Sequence, residues 1–392
     1  LAKNKEQLEI LHDYFSTQKA SQIALNKLAS TNSVFMLKGW MPSHVVEAVS
    51  KSIESSFDSV VICEEVLEDE KPPVLLKNNS FVEPFEVITE MYSLPDPRGI
   101  DPNTIMVPFF FMFFGLMLSD AGYGLLIVVA TALMLWKYKP QGQSKKFIKM
   151  LFYAGISTVV WGAVFGGWFG DVIYVLSGGA MDAPRLLNPL QDPITVLLLS
   201  FVLGAIHLFV GMGAKAYQMI KDSDVWGAVF DVGLWYIVIV GLPLMLLGGT
   251  LATVGSYMSG GGAIGLILTQ GRREKGIFKK LSIGLLSLYD ITSYLGDILS
   301  YARLLALGLS TGVIANVINS MGAMGGNNIG GWIMFAVVFA GGHIFNILIN
   351  ALGAYVHTSR LQYVEFFGKF YVSGGKAFKP FKPDRKYVEV IR

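Results

Sequence analysis

Long apolar runs separated by short polar linkers occupy most of the chain, at 104–136, 148–176, 194–219, 226–248, 251–269, 282–320 and 330–370. Crossing about 30 Å of hydrocarbon at 1.5 Å per residue takes roughly 20 apolar residues, so runs of this length predict membrane-spanning helices. Residues 1–103 have a different pattern. The stretch 1–29 lacks Pro and Gly and sets Leu8, Leu11, Phe15, Leu25 and Leu28 among polar residues, which predicts an amphipathic helix. A β-like run at 34–41 is followed by a helix expected at 44–57, with Ser43 as N-cap and Val45, Val46, Val49 and Ile53 inward. A second β-like run at 60–63 completes a β-α-β order and predicts a small α/β lobe. The Pro- and acid-rich 64–102 is expected to lead into the membrane as irregular structure.

Composition agrees with that division. Of 392 residues 53% are hydrophobic and 15% charged, against about 25% charged in soluble domains. The net charge of +2 matters through its distribution. Positive residues cluster at Lys137, Lys139, Lys145, Lys146 and Lys149, weakly at Lys215 and Lys221, at Arg272, Arg273, Lys275, Lys279 and Lys280, and along the tail from Lys369 through Lys376, Lys379, Lys382, Arg385 and Lys386 to Arg392. The linkers 177–191, 249–262 and 321–331 hold Arg185 as their one basic residue. Basic loops stay on the cytoplasmic side, so all four clusters are expected there. A single crossing in 104–136 would put the first cluster outside, and the run is therefore expected to fold back as a short hairpin turning at 120–124. Arms of about 14 residues, roughly 21 Å of helix, then need protein neighbours. The resulting fold class is a mainly α polytopic membrane bundle of about eight helices, both termini cytoplasmic, with a small N-terminal α/β cytoplasmic lobe. The last two helices are expected to be long and tilted, and no Pro occurs between Pro243 and Pro380 to break them. Expected domains are 1–103, 104–370 and a cytoplasmic tail at 371–392, in the cell (plasma) membrane. The single cysteine, Cys63, excludes an intrachain disulfide, and the opening Leu1 predicts an upstream segment.

One arginine stands out. Arg303 lies mid-run in YARLLALGL, where a guanidinium costs about 3 kcal/mol on insertion scales and more than about 10 in some simulations, and it cannot neutralise itself. On a helical wheel Tyr289, Thr292, Gly296, Ser300, Arg303, Leu307, Ser310 and Ile314 share an arc of roughly 80°. Small residues around the charge let another helix pass closely. A second stripe of His343, Asn346, Asn350, Gly353, His357 and Arg360 shares about 100° of the 330–370 helix, suited to a hydrated path or to a polar helix interface. Simpler roles stay open: Arg303 or Arg360 as a structural partner of Asp297 or Glu365, the Asn/His stripe as interhelical glue, and Asp120 as a cap or as a group on an ion path. Asp231 and Asp290 read as helix-dipole partners, and His207 as a packed core histidine. The sequence carries no metal-ligand, nucleotide or nucleophile motif and calls for no cofactor or nucleic acid. The chain is not expected to be a catalyst by itself.

Several segments together resemble the membrane half of subunit a, or subunit I in bacteria, of V/A-type rotary ATPases. They are KGWMP at 38–42, PPVLLKNNSFVEPFE at 72–86, FGLMLSDAGYGLL at 114–126, WGAVFGGWFGD at 161–171, LGAIHLFVGMG at 203–213, SYLGDILSYARLLALGLS at 293–310 and GGHIFNILINALGAYVHTSRLQYVEFFGKFY at 341–371. The resemblance implies a non-catalytic stator subunit whose two long tilted helices face a rotating proteolipid ring carrying one carboxylate per subunit, with Na+ or H+ as transported ion. Arg303 is similar to the family's essential arginine and Arg360 to its second arginine. His343, Asn346, Asn350, His357, Ser310 and Asp120 would line the half-channels, and an upstream cytoplasmic half would meet peripheral stalk subunits. Proton-pumping eukaryotic members carry Glu where Asn350 stands and His on the seventh helix where Ser310 and Thr311 stand. These departures favour a hydrated sodium ion over a proton relay. The rivals are a self-contained secondary ion transporter with broken helices around a midplane site, and a scaffold that only anchors a complex.

Overall fold

The computed structural model describes residues 4–26, 28–67, 70–272, 274–326, 328–380 and 387; the expected basic residues Arg273, Lys382, Arg385, Lys386 and Arg392 lie outside the described residues. The chain divides into two compact units, Leu1–Leu75 with Gly375–Arg392, and Leu76–Gly374.

The first unit contains α1 (Lys5–Leu25), an antiparallel pair β1 (Ala29–Ser30) and β2 (Phe35–Met36), and α2 (Val46–Ser56). The expected β-α-β order does not form among the described residues: strand is confined to Phe35–Met36 within 34–41, and 60–63 is no strand. Val60 and Ile62 are 84% and 80% exposed, so no packed face organises them. Ser43 is not the helix cap. It lies within a 3-10 turn, Ser43–Val45, opened by Pro42 at φ −64° without a side-chain cap, because the fixed proline φ feeds the chain straight into the turn. Val74 donates its N–H to the Lys376 carbonyl, and the Phe378 N–H returns to Val74.

The second unit is a helical bundle. Seven helices are long and apolar enough to cross a membrane, and the shorter apolar helix Asn103–Leu118 brings the set to the expected eight among the described residues. The 64–102 stretch is not wholly irregular: a 3-10 turn, Glu83–Phe85, leads into α3 (Glu86–Tyr92). Burial overrides the Pro-rich composition here. Phe85 and Ile88 are fully buried, and Glu86 accepts from Lys146 at 2.6 Å. Next come α4 (Asn103–Leu118) and α5 (Ala121–Tyr138), which form the predicted hairpin, its turn at Ser119–Asp120 lying at the start of the expected pentapeptide. Ser119 takes φ 39°, and the Asp120 side chain accepts from the Tyr123 N–H. Met106, Val107, Phe110, Phe113 and Phe114 of α4 are fully buried, so this short helix is sheathed by protein. Its length is about 24 Å, and its neighbours rather than lipid satisfy its apolar surface.

α6 (Gly142–Phe165) lies against this hairpin through small residues, the arrangement that lets apolar helices approach. A Cβ at Gly162 would fall 2.0 Å from the Ala121 nitrogen, and one at Gly115 2.7 Å from the Ser157 backbone. Beyond a loop follow α7 (Val172–Leu176), α8 (Pro193–Lys221), α9 (Val225–Gly227), a π-helical segment Ala228–Gly233, α10 (Leu234–Leu246) and α11 (Gly249–Thr269). α10 and α11 pack as a hairpin, Gly241 meeting the Ser259 and Gly255 backbones. Asp231 sits in the first turn of the π segment and also takes a two-pronged ion pair from Arg272 at 2.5 and 2.8 Å. Asp290 does open a helix, in the first turn of α13.

The last two spans are long but interrupted. α12 (Ile277–Ser287), α13 (Asp290–Ser300) and α14 (Ala302–Ala323) make one 47-residue span, and α15 (Ile329–Arg360), a π-helical segment Leu361–Phe366 and α16 (Phe367–Phe370) make a 42-residue one. At 1.5 Å per residue these reach about 70 and 63 Å. Neither interruption involves Pro. At Tyr301 the backbone tightens to i→i+3 bonds, Tyr301 N–H to Ile298 and Leu304 N–H to Tyr301.

The close α5–α6 contact predicts that Gly162→Ala lowers stability by about 1–3 kcal/mol through overpacking, whereas Gly353→Ala, whose Cβ would meet nothing within 4 Å, is neutral. Thermal unfolding of the two variants in detergent checks this.

Candidate functional site

Arg303 lies in the first turn of α14, two residues past the break at Tyr301, and is half-buried. Its NH1 atom is buried without a hydrogen-bond partner in the chain, and among the described residues it forms no ion pair. Asp297, a candidate anion, is engaged elsewhere: Lys369 binds it at 2.5 Å while lying 4.3 Å from the Tyr294 ring centroid. Glu365, the other candidate, and Arg360 act on Arg303 through space. Glu365 is 2% exposed, with one carboxylate oxygen unpartnered. His357 Nδ1 and Gln362 Nε2 are likewise buried without partners. Orphaned buried polar atoms are rare and each needs a reason. Five of them, on Arg303, His357, Ser359, Gln362 and Glu365, fall on α14, the end of α15 and the π segment that follows it.

The second stripe divides. His343, Asn346 and Asn350 are buried at 3%, 2% and 7% exposure, while His357 is half-buried and Arg360 exposed beside Val356 and Val364. The inner three belong to a continuous hydrogen-bonded chain whose polarity can be worked out. Asn319 Nδ2 reaches the Phe169 carbonyl at 2.7 Å and Asp171 Oδ1 at 2.9 Å; both are acceptors, so the Asn319 amine must face them. Its Oδ1 then accepts from His343 Nε2 at 3.0 Å. His343 Nδ1 is left to accept from the Tyr123 hydroxyl at 2.6 Å, and the Tyr123 oxygen accepts from Asn346 Nδ2 at 2.7 Å. Asn350 Nδ2 closes the line on Asn346 Oδ1 at 2.5 Å. Every donor points the same way, from Asn350 toward Asp171. The neutral imidazole supplies the one donor and one acceptor the line demands.

Asp120 is fully committed to architecture. Its carboxylate accepts from the N–H groups of Tyr123 and Phe169 at 3.0 Å each and of Gly170 at 2.7 Å, and it is 2% exposed. It caps α5 and folds the 166–171 loop onto the α4–α5 turn, as the Ala121 N–H to Gly167 carbonyl bond at 2.7 Å also does. Phe169 and Gly170 take positive φ there, 51° and 67°. Ser310, half-buried, lies two turns along α14 from Arg303. A cleft lined by Asp171, Tyr174, Asn188, Gly308, Gly312 and Asn316 opens between that loop and α14.

Sequence reasoning missed Tyr123, Asp171 and Asn319. Asn316 and Asn319, the only amides in α14, carried a legible signal; the partners of Tyr123, on helices far along the chain, did not. His207 is the packed core histidine expected, at 0% exposure, and it also bonds Tyr301 and Gln362.

A sequence profile of the V-type ATPase 116kDa subunit family matches residues 1–173 and 293–383. The chain is 34% identical to the A-type ATP synthase subunit I of Methanocaldococcus jannaschii over 98% of its own length and 60% of that protein. It is 37% identical to the A-type ATP synthase subunit I of Pyrococcus horikoshii over 93% of the chain and 56% of the relative. The V-type ATP synthase subunit I of Borreliella burgdorferi is 26% identical over 75% of the chain and 51% of that protein. The chain thus spans little more than half the length of these relatives.

Charge-assisted bonds are each worth about 1.5–3 kcal/mol, so Asp120→Ala is expected to speed amide exchange at Phe169 and Gly170 by about 10- to 100-fold. Hydrogen–deuterium exchange read by mass spectrometry checks this; unchanged rates would remove the locking role.

Proposed function

Because this chain belongs to the V-type ATPase 116kDa subunit family, we propose that it is the membrane half of a rotary-ATPase stator, with Arg303 as the fixed charge between two ion half-channels. The observation that carries the proposal is the guanidinium that forms no ion pair among the described residues, with unpartnered polar atoms on His357, Gln362 and Glu365. A permanent charge in an apolar bundle is costly unless an opposite charge reaches it, and a carboxylate on a passing ring subunit supplies one.

The physical cycle follows from that pairing. In lipid a ring carboxylate is stable when neutralised by its bound ion. Opposite Arg303 the charged form is favoured, and the ion leaves into one half-channel. As the ring turns onward, the carboxylate takes an ion from the other. The guanidinium repels cations that would otherwise run straight through. Each elementary charge moved across 100 mV requires about 2.3 kcal/mol, supplied by ATP-driven rotation in the catalytic part of the complex. The exposed apolar face of α15 and the π segment after it, with Leu352, Val356 and Val364, suits a greasy moving partner, and Arg360 puts a second positive charge on it.

The line from Asp171 to Asn350 flanks the Arg303 helix and ends beside the cleft at Asp171. Three of its members are amides, which donate and accept through different atoms and cannot hand on a proton by reversing a bond. This favours a hydrated cation such as Na+ over a relayed proton. The basic linkers support both termini at the cytoplasmic face of a plasma membrane. Stalk subunits would engage residues beyond those of this chain.

In the assembled complex Arg303→Ala is expected to abolish ATP-driven ion transport, with subunit content unchanged. Uptake of labelled Na+ and of protons into vesicles measures it, and retained pumping would rule the role out. The chain reconstituted without a ring is expected to move neither ion; transport by it alone would favour a self-contained carrier.

A further inference from the structure

Resting on the stator role proposed above, we infer that His207 is the positioning residue of the ion path: its two ring nitrogens tie the break before Arg303 to the π turn after Arg360. The imidazole of α8 is fully buried. Its Nδ1 lies 2.7 Å from the Tyr301 hydroxyl and its Nε2 3.1 Å from Gln362 Oε1. Tyr301 is the residue at which the α13–α14 span tightens, two positions before Arg303. Gln362 is the second residue of the π segment that begins directly after Arg360. One side chain therefore holds both irregularities.

α8 is shaped to receive them. Gly204, His207 and Gly211 follow at i, i+3 and i+7, on one helix face. A Cβ at Gly204 would stand 2.4 Å from the Tyr301 ring, and one at Gly211 2.9 Å from the Phe366 ring. Each glycine is thus a notch filled by an aromatic from one of the two arginine-bearing spans. Between the notches the imidazole stacks on Phe366, centroids 4.2 Å apart and planes 16° from parallel, and meets Phe109 at 4.4 Å on the α4 side.

Geometry explains why this matters to the arginines. A π turn adds one residue to a helix turn, so residues on its two sides are rotated by about 100° relative to a regular α-helix. Beyond the turn, Phe367 and Phe370 are anchored in the core at 1% and 7% exposure. With that end fixed, erasing the π turn would swing Arg360 away from the exposed face it occupies. Restoring regular α bonding through Tyr301 would likewise re-aim Arg303. The imidazole bonds the side chains at both places, and they are far apart in sequence and contiguous in space.

The experiment uses the intact ATPase complex carrying the full-length chain, reading ions moved per ATP hydrolysed beside thermal stability and subunit content. His207→Phe keeps the stacking and removes both bonds: stability is expected to stay near wild type while the coupling ratio falls at least about fivefold. His207→Gln keeps an amide toward Gln362 and His207→Asn one toward Tyr301, so both should recover part of the ratio. Tyr301→Phe leaves its ring in the Gly204 notch and should lose as much as His207→Gln. The double variant His207→Gln/Tyr301→Phe should lose no more than either single change, since both remove one bond. If His207→Phe fails to assemble, Tyr301→Phe alone decides the matter. Coupling within twofold of wild type in these variants, with Arg303→Ala inactive, would overturn the positioning role and leave the stator role standing. Pumping by Arg303→Ala would remove the stator role itself.

Discussion

A guanidinium cannot shed its proton within a membrane, and no acid of this chain forms an ion pair with it among the described residues. Much of the second unit is arranged around that constraint. Asp297, the nearest carboxylate in sequence, is drawn off by Lys369. Glu365 acts from a distance and keeps an oxygen unpartnered. Arg360 adds a second positive charge where a neutralising group would be expected. A bundle folding for stability alone would pair such a charge or replace it with an apolar residue. In the stator role proposed above, that cost is tolerated because the counter-charge belongs to another molecule, and the unpaired state is then a functional device.

The surrounding architecture is stiff wherever this device needs a reference. The α4–α5 hairpin is too short to stand in lipid by itself and is clamped to α6 at Gly115, Gly124 and Gly162. Asp120 uses a whole carboxylate to fold the 166–171 loop onto the hairpin turn. The line from Asn350 to Asp171 then joins α15, α5, α14 and that loop through buried polar side chains with paired donors and acceptors. Such fully satisfied networks specify one arrangement of helices. The arginine sites show the opposite condition, with orphaned atoms beside irregular backbone.

Much of this was legible in the sequence, and the failures have physical causes. The hairpin in 104–136 followed from charge parity across the membrane, a constraint that acts on the whole chain and survives local uncertainty. Arg303 was legible because its cost in lipid is large. The breaks at Tyr301 and at 361–366 were not, since neither contains Pro; they are matched by the notches of Gly204 and Gly211 on a helix remote in sequence. The ion pair of Asp231 was not legible either, because its partner Arg272 lies beyond α10 and α11. The strand expected at 60–63 had the right residue types but no packed face, and β propensity counts for little without one. His207 was read correctly as a core residue, while its two hydrogen bonds depended on contacts that periodicity does not reveal.

The central claim is that the counter-charge of Arg303 comes from outside the chain. The most direct measurement is a structure of the assembled complex, ring included, at a resolution that shows side chains. The account predicts the Arg303 guanidinium within about 4–6 Å of a ring carboxylate in at least one rotary position, a distance at which opposite charges favour ionisation, with Asp297 still held by Lys369. A guanidinium closed onto Glu365 in every rotary position, turned away from the ring, would contradict it.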